Sequence, residues 1–307
     1  MPKHVPTFTR SIFCLAFVLL VAGCQASAQT VLTGEWKAST KNEEANKIHL
    51  SLVRNTERGG RNQTGQSFEF SDLQGLTREQ ATAGGPVRFS LVREAGRIDC
   101  EGSFQDGKGS GTFRFTPNMG FVSAMKTRGF NFEKEDSSPD DRHDSENNLE
   151  SRLFAATTLN VTTALADDLL SADFGKLEVE DLFKAAIFKV DSKFMREMKA
   201  SGFPGLGMEE LVKARIFKID AEFVRQVTQM GFAKESFESL VKMRIFKVTP
   251  EFIAEARGEG LTNLSVEQLV KMKIFKIDSE FIRRARAEGV PLDVEQLVQR
   301  RIGVWGR

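Results

Sequence analysis

The sequence has no tyrosine, and its 307 residues include only three histidines, three cysteines and eight prolines. So few histidines and cysteines leave little material for a metal centre or a nucleophilic catalyst. Charge of one sign is also missing, because 43 lysines and arginines face 42 acidic residues, for a formal net charge of +1. Such a chain has no general attraction to nucleic acid or acidic surfaces, so binding of that kind requires a local patch. The length fits two domains.

The first 28 residues are typical of a signal peptide, with a basic start and an apolar run over residues 12–22 that is short for a membrane span. The segment offers two cleavage sites. The letters LVAGC, ending at Cys24, match a bacterial lipobox in which that cysteine becomes the lipidated first residue, and ASA, ending at Ala28, is typical of ordinary cleavage. Gln25 resembles the residue that directs lipoproteins to an outer membrane. The sequence therefore predicts an exported protein, periplasmic or anchored to the outer membrane as a lipoprotein.

Residues 31–132 predict a small antiparallel β domain that ends in a helix. Apolar and polar residues alternate in several short segments, as in Ile48-His49-Leu50, which is the pattern of strands with one buried face. Glycine-containing turns separate the segments, and those at 95–96 and 106–107 predict that the last three strands form a meander. Five or six strands favour a small sandwich or a partly open barrel.

Three side chains that could carry chemistry are expected to be ordinary parts of this sheet. Trp36 and Cys100 are expected in the core, whereas His49 lies on the polar side of its strand. Because Cys14 and Cys24 belong to the exported leader, Cys100 has no partner for an internal disulfide. No catalytic motif or metal-ligand spacing occurs in the sequence, so we expect a protein that is not an enzyme and that holds no cofactor.

Residues 133–150 contain almost no apolar side chain and many acidic ones, which predicts a flexible, acidic linker. His143 lies there beside two aspartates, but a flexible segment holds a metal ion poorly.

The segment 151–307 carries an internal repeat. The tripeptide Ile-Phe-Lys begins at positions 187, 216, 245 and 274, a constant spacing of 29 residues. Capping patterns such as Ser265 with Gln268, or Thr249 before Pro250, divide each repeat into two short helices. Helices this short are marginal alone, so the pairs are expected to stack as an α-solenoid. Two phenylalanine columns are expected to form its core: Phe188, Phe217, Phe246 and Phe275, and Phe194, Phe223, Phe252 and Phe281.

Charged residues of the repeats also form columns. Acidic columns run beside the basic ones, so two interpretations stay open: a screened surface with ion pairs between repeats, or an edge that binds an anionic partner such as lipid headgroups, polysaccharide or an acidic protein face. The sequence offers no sign of nucleic-acid binding. The three basic columns are Lys189, Lys218, Lys247 and Lys276; Lys213, Lys242 and Lys271; and Arg215, Arg244 and Lys273.

A resemblance to a known family rests on two stretches of this sequence. The run GPVRFSLVREAGRIDCEGSFQDGKGSGTFRFTPN, followed by helical units such as TPEFIAEARGEG, resembles the extracytoplasmic tails of bacterial sensor metallopeptidases of the beta-lactam antirepressor type. It also resembles stand-alone exported proteins of unknown function that share those tails. The resemblance implies a sensing or interaction module. It implies no peptidase activity, because His4, His49 and His143 lack the His-Glu-x-x-His spacing that such enzymes use to hold zinc.

The sequence thus predicts an α+β protein of several domains: an antiparallel β domain, an acidic linker and an α-helical repeat array. Its expected function is non-catalytic interaction or sensing in the bacterial cell envelope, with a protein partner bound by the array and membrane contact through a lipid at Cys24. The alternative is a small-molecule or glycan-binding protein, or a hydrolase, with its site in the β domain.

Overall fold

The fold is described from a computed structural model of the chain. The expected signal peptide with Cys24, and most of the expected linker with His143, lie outside the described residues, so these expectations stay predictions. The structure describes residues 32–41, 43–55, 61–133, 148–173 and 175–304.

Within those ranges, seven strands form one curled antiparallel sheet in the order β3-β2-β1-β7-β6-β5-β4. The expected α+β class is confirmed, and of the two sheet forms the partly open barrel is the one found. The meander of β5, β6 and β7 is confirmed as well, but the first and last long strands also pair side by side. The strands are β1 (Leu32–Ser39), β2 (Lys47–Asn55), β3 (Arg61–Glu69), β4 (Leu73–Gln74), β5 (Gly85–Arg93), β6 (Gly96–Gln105) and β7 (Lys108–Pro117).

The sheet packs tightly against Trp36, which is fully buried. Gly102 of β6 lies opposite Gly111 of β7, and a Cβ atom at Gly111 would lie 2.7 Å from the Trp36 Nε1 atom. The indole therefore occupies the space that two side chains would otherwise take, and its Nε1–H donates to the Glu101 carbonyl at 3.2 Å. Trp36 is a core residue, as expected.

Two short helical elements between β3 and β5 were not expected. A 3-10 turn at Phe70–Asp72 follows directly after β3. Helix α1 (Arg78–Ala83) follows and has a capping box between Thr77 and Gln80. The motif Thr-x-x-Gln is visible in the sequence and predicts this helix start.

The rest of the described chain consists of short helices. The first helices of successive repeats, α3, α5, α7, α9, α11 and α13, contact one another, with α7 and α9 joined by the Lys213–Glu238 ion pair. The stacked pairs of the expected solenoid are therefore confirmed. The helices are α2 (Met119–Lys126), α3 (Leu149–Leu159), α4 (Thr163–Leu170), α5 (Val179–Phe188), α6 (Ser192–Ala200), α7 (Met208–Ile216), α8 (Ala221–Gln229), α9 (Phe237–Ile245), α10 (Pro250–Gly258), α11 (Val266–Ile274), α12 (Ser279–Ala287) and α13 (Val294–Arg301).

Helix starts follow the capping residues of the sequence. The side chain of Thr249 accepts from the Phe252 N–H ahead of Pro250, and Ser265 and Gln268 form both bonds of a capping box. The helix expected after β7 is α2, which begins after Asn118 and contacts α4 of the helical array.

One hydrophobic core runs without interruption from the sheet into the array. Phe154 of α3 packs on two rings of β7: its centroid lies 5.5 Å from that of Phe113 and 5.4 Å from that of Phe115. The Phe194 column is buried, as expected, whereas the Phe188 column is only half-buried against the core. The phenylalanines of the second helices therefore lie in the core of the array, whereas those at the ends of the first helices are partly exposed.

Candidate binding surface

The lysine column on the outer face of the first helices is neutralised by the next repeat. Each lysine pairs with a glutamate near the start of the following first helix, so the charges join neighbouring repeats. Exposed pairs of this kind contribute at most about 1 kcal/mol each. The hydrogen bond that Lys184 donates to the Glu209 carboxylate raises the pKa of Lys184. The pairs are Lys184–Glu209, Lys213–Glu238 (3.3 Å), Lys242–Glu267 (3.6 Å) and Lys271–Glu295.

The second basic column lies against aromatic rings. Each cation covers a phenylalanine of the preceding second helix, which is a cation–π contact. Arg244 also donates its Nη2–H to the Lys218 carbonyl at 2.7 Å, and burial lowers the pKa of Arg244. This column is therefore part of the packing between repeats. The distances from cation to ring centroid are 3.8 Å for Arg215 on Phe194, 3.7 Å for Arg244 on Phe223, 3.9 Å for Lys273 on Phe252 and 4.8 Å for Arg301 on Phe281.

The third basic column differs from both. Its lysines are exposed, and their ammonium groups make no ion pair or hydrogen bond with any described residue. Each adopts a left-handed backbone conformation just after a first helix. The φ angles are 57° at Lys189, 53° at Lys218, 52° at Lys247 and 51° at Lys276.

Lysine is an unfavourable choice for this conformation. A residue with a Cβ atom costs about 1–2 kcal/mol there, whereas glycine adopts it freely. The second helices do end in glycine, as at Gly202 and Gly231, with φ of 100° and 102°. A cation near a helix C-terminus offsets about 0.3–1 kcal/mol of the cost. Four repeats nevertheless keep lysine where glycine is the better residue for the backbone.

Four isoleucines lie two residues before these lysines and point to solvent. Their exposed fractions are 51% at Ile187, 52% at Ile216, 48% at Ile245 and 51% at Ile274. Between each isoleucine and lysine lies a half-buried phenylalanine. A single exposed isoleucine is ordinary, whereas these four recur at the same position of successive repeats.

We call these four isoleucines and four lysines the Ile-Lys ridge. Because the first helices stack, equivalent positions recur along one edge of the array at the usual distance between packed helices, about 8–10 Å. The ridge thus combines exposed apolar groups with unpaired positive charge. It contains one of the three basic columns, and the sequence could not separate that column from the other two.

The structure also places Cys100 and His49, the other side chains singled out from the sequence. Cys100 is a buried free thiol, and burial, with the charge of Asp99, raises its pKa to about 12. It is therefore an unreactive core residue, as expected. His49 is exposed on its strand, which also confirms the expectation. In the described ranges, no three histidine, cysteine or acidic side chains cluster as metal ligands would.

None of the helices described here has the length and apolar character needed to cross a bilayer. No protein-family model, curated protein or solved structure matches the chain. The resemblance to sensor metallopeptidase tails therefore stays a prediction.

Proposed function

We propose that this chain is a non-catalytic, exported interaction module of the bacterial cell envelope, which binds a protein partner through the Ile-Lys ridge. One observation carries the proposal. The array keeps four exposed isoleucines next to four unpaired lysines, in a backbone conformation that favours glycine. The neighbouring basic columns are engaged in ion pairs and ring contacts, so the free charge of the array's edge is concentrated on this ridge.

The chemistry of the ridge defines its partner. Unpaired lysines attract carboxylates over distances near the Debye length and speed association, whereas apolar contact with isoleucine slows dissociation. We expect a protein surface on which acidic groups alternate with apolar ones at the spacing of the repeats. Its affinity should fall as salt concentration rises, because exposed charges are screened.

The leader and the sheet determine where and how the ridge is presented in this proposal. In this proposal Cys24 carries a lipid that holds the protein at the outer membrane, and the resemblance to extracytoplasmic sensor tails supports a role in sensing. The ridge then faces proteins of the envelope. The continuous core between sheet and array supports a rigid presentation of the ridge.

Photocrosslinking in the native bacterium tests the proposal. Benzoylphenylalanine is placed at Ile216 or Ile245 on the ridge, and at Leu170, which is 42% exposed on α4, as the control. We expect adducts with one defined protein from the ridge positions alone. Equal adducts from position 170 would contradict the proposal.

Charge reversal provides the second arm. Lys218→Glu should weaken the adducts from Ile216, because acidic groups of the partner are then repelled there. Lys234→Glu is the matched control, since that lysine is exposed in a loop between repeats and has no partner among the described residues. Equal loss in the control would mean that net charge, not the ridge, governs binding.

A further inference from the structure

A second feature, independent of the ridge, lies on the sheet face opposite the hydrophobic core. A cavity of about 760 Å³ lies over β4, β5, β6, β7 and β1, within the range of about 300–1,000 Å³ that is usual for small-molecule sites. Its lining is rich in polar side chains, whereas ligand pockets are mostly apolar. A polar lining favours a polar ligand.

One side of the cavity is a fixed hydrogen-bond network around Ser90, which is only 7% exposed. Ser90 Oγ donates to Asp99 Oδ1 at 2.6 Å, and Arg97 donates to both: Nη2 to Ser90 Oγ at 2.9 Å and Nε to Asp99 Oδ1 at 2.6 Å. Burial by itself would raise the pKa of Asp99, but the bonds from Ser90 and Arg97 and the charge of Arg114 lower it overall. Asp99 is thus a carboxylate whose second oxygen, Oδ2, accepts no bond from the described residues.

Beside this network lies a guanidinium that makes no ion pair or hydrogen bond with the described residues. Arg114 of β7 lies directly opposite Asp99 of β6 and Thr33 of β1, and no described residue pairs with it by ion pair or hydrogen bond. Arg88, by contrast, donates Nη2 to Glu101 Oε1 at 2.7 Å. Three arginines and two carboxylates line the cavity, so one positive charge is unmatched.

Hydroxyl and amide groups without a partner among the described residues also line the cavity. Gln74 of β4 lies opposite Ser90, and Thr112 lies opposite Glu101. The side chains of Gln74, Thr112 and Thr33 are exposed and make no hydrogen bond within the described chain. Together with Asp99 Oδ2, they offer hydrogen-bond donors and acceptors in the same cavity as the guanidinium, the set that a hydroxyl-rich anion requires.

We propose that this cavity binds a small polyhydroxylated acid, such as a sugar carrying a carboxylate, with Arg114 receiving the carboxylate. Asp99 Oδ2 and Gln74 receive the hydroxyl groups, and Arg97, held by Ser90, keeps Asp99 in place. The inference goes beyond the proposed function, because it assigns a ligand to the sheet and not to the array.

Isothermal titration of the full chain with glucuronate tests the site. We expect saturable binding at millimolar concentration or below, with glucose and acetate at least about tenfold weaker, since glucose lacks the carboxylate and acetate lacks the hydroxyls. Arg114→Gln should weaken glucuronate binding by about tenfold or more, because hydrogen bonds to charged groups are among the strongest in proteins. Arg114→Lys keeps the charge without the planar fork and should lie in between.

The control is Arg225→Gln, which removes an exposed arginine that pairs with Glu222 within helix α8 of the array. It should leave glucuronate affinity unchanged. Circular dichroism of each variant checks that the fold is kept. Absence of glucuronate binding at about 10 mM, equal affinity for acetate, or unchanged affinity in a folded Arg114→Gln variant would each overturn the proposal.

Discussion

The guanidinium carbon of Arg244 in α9 lies 3.7 Å from the ring centroid of Phe223 in α8. The same side chain donates Nη2–H to the carbonyl of Lys218, just after α7. One residue thus joins three successive helices. Because the contact recurs at other repeats, this basic column stabilises the array and is not available to a partner.

We expect Arg244→Ala to lower the free energy of unfolding by about 1–2 kcal/mol, since it removes a cation–π contact and a charged hydrogen bond. Urea unfolding of the full chain, followed by circular dichroism, measures the loss. Lys234→Ala, in an exposed loop, is the control and should change stability by less than about 0.5 kcal/mol. Equal losses would mean that the ring contact contributes nothing.

Replacement of Lys218 by glycine should raise stability by about 0.5–1 kcal/mol. Its φ of 53° is unfavourable for lysine and free for glycine, and this gain exceeds the entropy that glycine adds to the unfolded chain. The same change should weaken crosslinking from Ile216, because it removes a charge of the ridge. A gain in the free energy of unfolding together with a loss of crosslinking would indicate that Lys218 serves binding and not stability.

Lys213→Gly provides the comparison for that prediction. Lys213 lies inside α7 and pairs with Glu238, so glycine there should lower stability by about 1 kcal/mol and leave the ridge unchanged. A gain of stability at Lys213, or a loss at Lys218, would contradict the assignment of strain to the lysines that follow the first helices.

Truncation of Phe154 to alanine should cost about 3–5 kcal/mol, as is usual for a large buried aromatic side chain. Its ring packs on Phe113 and Phe115 of the sheet, so sheet and array should lose stability together. Urea unfolding in a Trp305→Phe background, which leaves Trp36 as the sole tryptophan, followed by fluorescence for the sheet and by helical dichroism for the array, measures both. Leu170→Ala, at an exposed position, should leave both transitions in place. Loss confined to the helical signal would contradict a shared core.

The helices of the array were predictable because their signals are local. A cap such as Thr249 before Pro250 and a left-handed glycine such as Gly289 act within a few residues, and the 29-residue repeat shows each of them several times. The same holds for the β5-β6-β7 meander, whose turns are short. Local physics is enough to place such elements.

Long-range contacts were beyond that reach. The pairing of β1 with β7 and the packing of Phe154 on the sheet join residues far apart in the chain, and neither leaves a period in the sequence. The ridge was missed for a related reason. All three basic columns recur in the sequence alike, and only the stacked helices separate lysines paired with glutamate from those without a partner.

Cys100 makes stability depend on alkaline pH. Burial raises its pKa from 9.0 to about 12, so above pH 9 the unfolded chain releases a proton that the folded chain keeps. The contribution of this thiol is complete below pH 9 and is lost as pH rises toward 12, by up to about 1.4 kcal/mol per pH unit. Unfolding in urea at several pH values should show this decline, and Cys100→Ala should make it shallower. Val87→Ala truncates another buried side chain of the sheet without a titrating group, so it should lower stability by the same amount at every pH. If the free energy of unfolding of Cys100→Ala declined with pH as steeply as that of the unaltered chain, the thiol would not cause the decline. Its pKa in the folded protein would then not be raised.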